Sequence, residues 1–487
     1  MTLSLLTSIR PTSRNACAGL GILLLAGLTA SIGAWGRPSY DMDLSVDCEM
    51  GAYAGEIIVT TENPTELPLD RLIFRLFPND QVIYAGASLA VQGATQGNIS
   101  LELELEDDPT ILTIPLLEPL GPGQTASLTL RFKGSVGPSP ARTSARSSGY
   151  GILTKNDSSL VLTSFYPLLA PFDGSSQVVH PVCEYGDTLW SDAADYTVQL
   201  TADSGFLPAS TGRLTSSTPL GSIMLHDFQA DGARDFALVL TSGLAEVELQ
   251  SGSRTLRAWF SPMRPEAAAQ ALTLASSAAD LFTDLIGPLP FDEIELIEVP
   301  LRHAIGVEFT GLILLSADYS AGWRQDIYAI LVSHEMAHQW FYAAVGNDPV
   351  SEAWLDESLA TFLSNVFLDH IGRTAGASRE RELWVAGFLD AQAGDPEATI
   401  GMPSCSFRSS SSYSLHVYGG GAYFLQTLRN QVGDEVFFDG LRTYFDSNIG
   451  RIASTASLLD AFEHGCGCDL SEIFGSFGFG SPGPEGL

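Results

Sequence analysis

At 487 residues the chain is long enough for two or three domains with separate cores. Its 45% hydrophobic content excludes a disordered polypeptide, and a formal net charge of −33 excludes a nucleic-acid surface, because phosphates would be repelled. Lys133 and Lys155 are its only lysines, and a solvated acidic exterior is the plainest meaning of that balance.

Arg10 and Arg14 precede an uncharged apolar run over 16–35, the pattern of a secretory signal. The run is also close to the ~20 residues that a spanning helix needs. Residues 1–36 are therefore expected to be a signal peptide or a membrane anchor, with the body exported to an extracellular, periplasmic or cell-surface location. Cys48, Cys183, Cys405, Cys466 and Cys468 follow; an odd set leaves one cysteine over, and the pairing stays open. No second cysteine pair accompanies Cys466-Gly467-Cys468, so it does not read as half of a metal site.

Over 37–245 the pattern has period two. Ile99-Ser100-Leu101-Glu102-Leu103-Glu104-Leu105 and Ala126-Ser127-Leu128-Thr129-Leu130-Arg131-Phe132 alternate as half-exposed strands should. This predicts an antiparallel β-domain of sandwich or saddle type. An alanine-rich helix is expected over 265–286, then strands over 293–299 and 311–316. Beyond Gly372 helical patterns dominate, at 422–432, 435–445 and 455–464. The Gly- and Pro-rich end, 476–487, reads as a loose tail.

Between these halves lies Ser333-His334-Glu335-Met336-Ala337-His338. Ile327, Leu331, Phe341 and Val345 recur at helical spacing, predicting one helix over 326–345. Residues four apart share a face, so His334 and His338 present two imidazoles to one point, with Glu335 beside them as a base. A second apolar pattern over 352–362 places Glu357 nineteen positions after His338, where an antiparallel helix could return a carboxylate to the same point. Three protein ligands leave a fourth position open for water, the mark of a catalytic rather than a structural zinc. The bland alternative, two core histidines around a surface glutamate, does not account for the third ligand.

His334-Glu335-Met336-Ala337-His338-Gln339-Trp340-Phe341 with Trp354-Leu355-Asp356-Glu357 resembles the gluzincin metallopeptidases of the aminopeptidase N family. Gly306-Val307-Glu308-Phe309-Thr310-Gly311 is similar to that family's Gly-Ala-Met-Glu-Asn strand, and Val417-Tyr418-Gly419-Gly420-Gly421 to its Tyr-x-Lys-Gly segment. The resemblance implies an α+β architecture in which a thermolysin-like catalytic domain (246–372) and a helical lobe (373–475) follow the β-domain. It implies one zinc per chain on His334, His338 and Glu357, and a zinc-bound water activated by Glu335. Tyr418 would supply the oxyanion donor, with Tyr413 a weaker second choice. Gly306 and Glu308 would belong to the substrate strand, Glu308 holding the free amine of a peptide. It also implies that the β-domain helps build the cleft, expected near Phe165-Tyr166-Pro167. The sequence departs from the family at Phe309 (for asparagine), Asp356 (for asparagine), Ser358 (for glycine) and Gly420 (for lysine), which bears on specificity more than on hydrolysis. Two rivals stand beside the aminopeptidase reading: a gluzincin that cuts internally or at a non-peptide bond, and a catalytically silent zinc-binding scaffold.

Overall fold

The alternating first half of the chain forms three sheets. The computed structural model describes residues 36–140, 149–319 and 325–479, so the apolar run at 16–35 lies outside the described residues. No helix among them is long and apolar enough to cross a membrane. An eight-stranded sheet has Ser39–Asp47 near its middle, flanked by Ala52–Glu62 and Ala194–Asp203; sheets of five and four strands complete the region. Tyr40, Met42, Leu44 and Val46 point inward along Ser39–Asp47 while their neighbours face out.

The expectation of a purely antiparallel domain is corrected at this central strand. Ser39–Asp47 pairs antiparallel with Ala52–Glu62 but parallel with Ala194–Asp203, with Tyr40 opposite Tyr196. A short hairpin dictates the first direction, whereas the long connection to Ala194 leaves the second free. The acidic alternation over 99–106 forms only two short strands, Ile99–Leu101 and Glu104–Leu105, at the sheet margins.

A further mixed sheet carries the catalytic elements. Its order is Ala245–Ser251, Arg254–Phe260, Glu293–Val299, Leu312–Ser316 and Gly306–Phe309, the last an antiparallel edge strand. Both faces are covered, as the continuous apolar run of Leu312–Ser316 requires. Ile297, Val299, Leu312 and Leu314 join the core of the β-region, while Leu296, Ile313 and Leu315 join the helical core. The helices are α1 Pro265–Leu285, α2 Gln325–Ala337, α3 Trp354–His370, α4 Thr374–Gly394, α5 Ser410–Tyr413, α6 Gly421–Val432, α7 Asp434–Asn448, α8 Thr455–Cys466 and α9 Ser471–Ser476.

Two further expectations change. α2 stops at Ala337 instead of running to 345. Beyond it the chain loosens, with Ala343 and Val345 amides donating to the carbonyls of His338 and Trp340, and Tyr342 takes φ 137°. Buried Arg234 provides the reason: it donates to the carbonyls of Tyr342 (2.6 Å) and Ala344 (3.4 Å), and also to Ser191 (3.1 Å) and Arg451 (2.6 Å). A side chain at Gly346 would overlap that guanidinium. α4 had no sequence signal of its own, since few of its positions are buried. Its glycines serve close approach instead, Gly376 to Asp326 and Gly387 to Leu415. The tail is packed as far as Phe479, whose ring lies 4.2 Å from that of Trp354; 480–487 are outside the described residues.

Cys183 pairs with Cys405 and Cys466 with Cys468, leaving Cys48 buried and free. Replacing Arg234 by methionine is expected to lower Tm sharply in a thermal melt, since four buried carbonyls lose a charged donor at a cost of at least ~3 kcal/mol. Arg234→Lys should recover only part of the loss, because an ammonium cannot reach all four.

Candidate active site

α2 and α3 pack against each other with their polar residues turned to a shared cleft of about 580 Å³. His334 and His338, one turn apart, meet Glu357 from the first turn of α3. Their facing atoms form a triangle: His334 Nε2 to His338 Nε2 is 3.1 Å, His334 Nε2 to Glu357 Oε2 3.2 Å, and His338 Nε2 to Glu357 Oε2 3.4 Å. Ligands at ~2.0–2.1 Å around a tetrahedral zinc stand ~3.3–3.4 Å apart, so the donor set fits that ion in both chemistry and spacing. His338 Nδ1 lies 3.1 Å from the carbonyl of Phe341, which fixes the ring and leaves Nε2 for a metal. The loosened turn after α2 thus orients a ligand.

Glu335 is 4% exposed, and its Oε2 has no hydrogen-bond partner among the described residues. Its carboxylate lies against the edge strand, where any Cβ at Gly306 would overlap it. Gly306 is therefore a steric requirement of the base and not itself a contact for substrate by side chain. Glu308, on the same strand, joins Glu335 and His338 in a second cluster whose ligand-type atoms all lie within 4.8 Å of one another.

Tyr418 stands on a π-helical segment, Ser414–Gly420, between α5 and α6. Such segments insert one extra residue per turn and are frequent at functional sites. Its ring stacks on that of His334 at 5.9 Å, and its hydroxyl donates to Glu357 Oε1. Ser358 donates to the carbonyl of Val417 within this segment (2.6 Å), and a Cβ at Gly421 would overlap Ser358. The serine at 358 is thus accommodated by the glycine at 421. Tyr413 packs edge-on to Tyr418 at 6.0 Å and also lines the cleft.

Sequence reasoning missed Asp187. The β-region reaches the cleft through Tyr185, Gly186, Asp187 and Thr188 and also through Ile83, Tyr150 and Ile152, and not through Phe165 and Tyr166, which are buried in its own core. Three contacts anchor this loop: His180 to Asp348 (2.8 Å), Cys183 to Cys405, and Trp190 stacked on His180 at 4.9 Å. Only the unassigned Cys183, four residues earlier, could have hinted at a fixed position there.

Electrostatics set the character of the site. Burial, then the charge of Glu308, pushes the Glu335 carboxyl well above the usual range. Burial likewise raises Glu308 to about 8, with the charges of Asp187 and Glu357 adding to it against His338. Asp187 is pushed up by burial and by Glu357, Asp356 and Glu335. Glu357 goes the other way: burial would raise it, but hydrogen bonds from His334 and His338 hold it well below the usual range.

With this geometry in place the comparisons are direct. The family described as Peptidase family M1 domain matches residues 285–477, which contain the triangle, the base and both tyrosines. The site-bearing part of the chain thus resembles the aminopeptidase N type of gluzincin zinc metallopeptidases, and its α+β fold is that of two-domain M1 metallopeptidases. Among individual proteins, it is 27% identical over 229 residues to Aminopeptidase M1 of Arabidopsis thaliana and 26% over 220 residues to Aminopeptidase N of Lactobacillus delbrueckii subsp. lactis. Each match covers 42% of this chain but 25% of the relative, so the chain spans about a quarter of their length. The solved structure of an M1 zinc metallopeptidase from Deinococcus radiodurans aligns over 91% of this chain and 92% of its own, with TM-score 0.64 and 20% identity. A mutant of that enzyme bound to a Tyr-Ser-Ala substrate aligns with TM-score 0.63 and 20% identity, over 91% of this chain and 93% of its own.

Stripped of metal, the protein should lose stability as pH rises. Glu308 binds its proton more tightly folded than unfolded, so its contribution is full below about 4.5 and lost as pH approaches about 8. Tm of the chelated protein is expected to fall across that window, and added zinc to restore it most strongly at the upper end.

Proposed function

We propose that this chain is an exported zinc aminopeptidase that removes single residues from the free N-terminus of peptides. The observation that carries the reading is the placement of Glu308 beside a His334–His338–Glu357 triangle, on the edge strand of a cleft that Asp187 also lines. One zinc per chain would be held by His334, His338 and Glu357. When bound, zinc supplies Lewis acidity toward a carbonyl oxygen and makes water easier to deprotonate.

The chain's own residues account for the rest. Glu335, buried with one oxygen free of protein partners, takes the proton of the attacking water and passes it to the departing amine. Tyr418, its phenol pushed up by burial and by Glu357, stays protonated at neutral pH and donates to the oxyanion that develops at the carbonyl carbon. Glu308 and Asp187 accept the α-ammonium, two negative partners that only a chain start satisfies. A blocked or internal peptide would leave both carboxylates buried without a cation, which disfavours endopeptidase cleavage. The intact triangle and base argue against a silent scaffold, which has no need of a buried carboxylate beside the ligands. Export is supported by the apolar run over 16–35 and by the two disulfides, which persist in oxidising compartments.

A peptide assayed in free and N-acetylated form tests the reading. Only the free form should be cleaved, and chelator should abolish turnover. Glu335→Gln should lower kcat by about 10²–10⁴-fold with zinc content unchanged. Asp187→Asn should raise KM for the free peptide more than it lowers kcat. Equal cleavage of both forms would transfer the site to an endopeptidase.

A further inference from the structure

The cleft continues beyond the metal triangle, on the side away from Glu308. Glu308 clusters with Glu335 and His338, toward the C-terminal end of α2. Ile330 and Leu331 line the same cavity a full turn before His334, ~5–6 Å further along the helix at 1.5 Å per residue. Thr361, four residues beyond Glu357 on α3, continues that wall, and α4 closes it with Glu380 and Trp384. A peptide whose amine sits at Glu308 and whose first carbonyl faces the triangle must lay its second residue here. The subsite so defined rests on the aminopeptidase reading.

We propose that Glu380 makes this wall selective for a basic side chain at the second residue, on the leaving-group side of the scissile bond. Glu380 forms no ion pair among the described residues, although Arg373, just before α4, pairs with Asp326 and Arg381 on α4 pairs with Asp369. Of the charges that act on it, Arg379 is the stronger and opposes Asp326 of α2, which is itself paired with Arg373. Thr361 Oγ1 is buried without a hydrogen-bond partner among the described residues, at the same wall. A lysine or arginine would lay its aliphatic stem along Ile330, Leu331 and Trp384 and bring its charged head to the Glu380 carboxylate. An acidic second residue would meet like charge there, and a small one would leave the wall wet.

The test uses the zinc-loaded full chain and three tripeptides with leucine first and lysine, leucine or glutamate second. In the unmodified protein kcat/KM for lysine should exceed that for glutamate about tenfold, the worth of one charge-assisted contact. Glu380→Gln should bring the two within about twofold and Glu380→Lys should invert them. Each rate is read relative to the leucine peptide in the same variant, which separates the effect from a folding defect and from the general acidity of the protein. Equal rates on all three peptides in the unmodified protein, or an unchanged lysine-to-glutamate ratio in Glu380→Gln, would overturn the inference and leave the aminopeptidase reading standing. Loss of all three peptides in Glu380→Gln would also overturn it, by making the residue structural. If the unmodified protein cleaves none of them, the aminopeptidase reading fails and this inference fails with it.

Discussion

Too much negative charge converges on too little positive. Asp187, Glu308, Glu335, Asp356 and Glu357 act on one another electrostatically around two imidazoles. Burial alone makes each carboxylate costly, and each neighbour makes it costlier. Without a cation the cluster must take up protons; with a dication at the triangle it can stay ionised and reactive. The secondary structure around it follows from that constraint. α2 ends where His338 has to turn, the edge strand has a glycine where the base has to fit, and α6 begins with a glycine where Ser358 has to pass.

Arg234 is the counterpart of this cluster in the scaffold. It leaves the β-region at the end of a strand, enters a fully buried position and ties together the carbonyls of Ser191, of the turn after α2, and of Arg451 before α8. One side chain therefore sets the relation between the loop that ends in Ser191, the exit of the metal helix and the helical lobe. The cost of burying a guanidinium is met by backbone acceptors, with the charges of Asp192 and Asp235 adding to them.

What could be read from sequence was whatever repeats at short range. The spacing of His334, Glu335, His338 and Glu357 is helical arithmetic, and the structure places all of them on α2, the turn that follows it and α3. The alternation over 37–245 announced sheets equally well. What could not be read depends on partners distant in the chain. The parallel pairing of Ser39–Asp47 with Ala194–Asp203 is set by a connection, not by a hairpin. The end of α2 is set by Arg234, about a hundred residues earlier. α4 buries few side chains and uses glycines for contact, so no periodic signal marks it. Asp187 lies in a loop with no repeat at all, and contacts distant in the chain, the crosslink to Cys405 and His180 on Asp348, fix where it points.

That crosslink has a mechanical consequence. Cys183 and Cys405 are 222 positions apart in the chain, and they join the Asp187 loop to the segment that leads into α5 and the Tyr418 turn. The two lips of the cleft are therefore hooped together covalently. The bond limits how far the Asp187 loop and the Tyr418 segment can part. On the proposed reading, a rim tied on that side favours a slender chain end over a loop held at both ends.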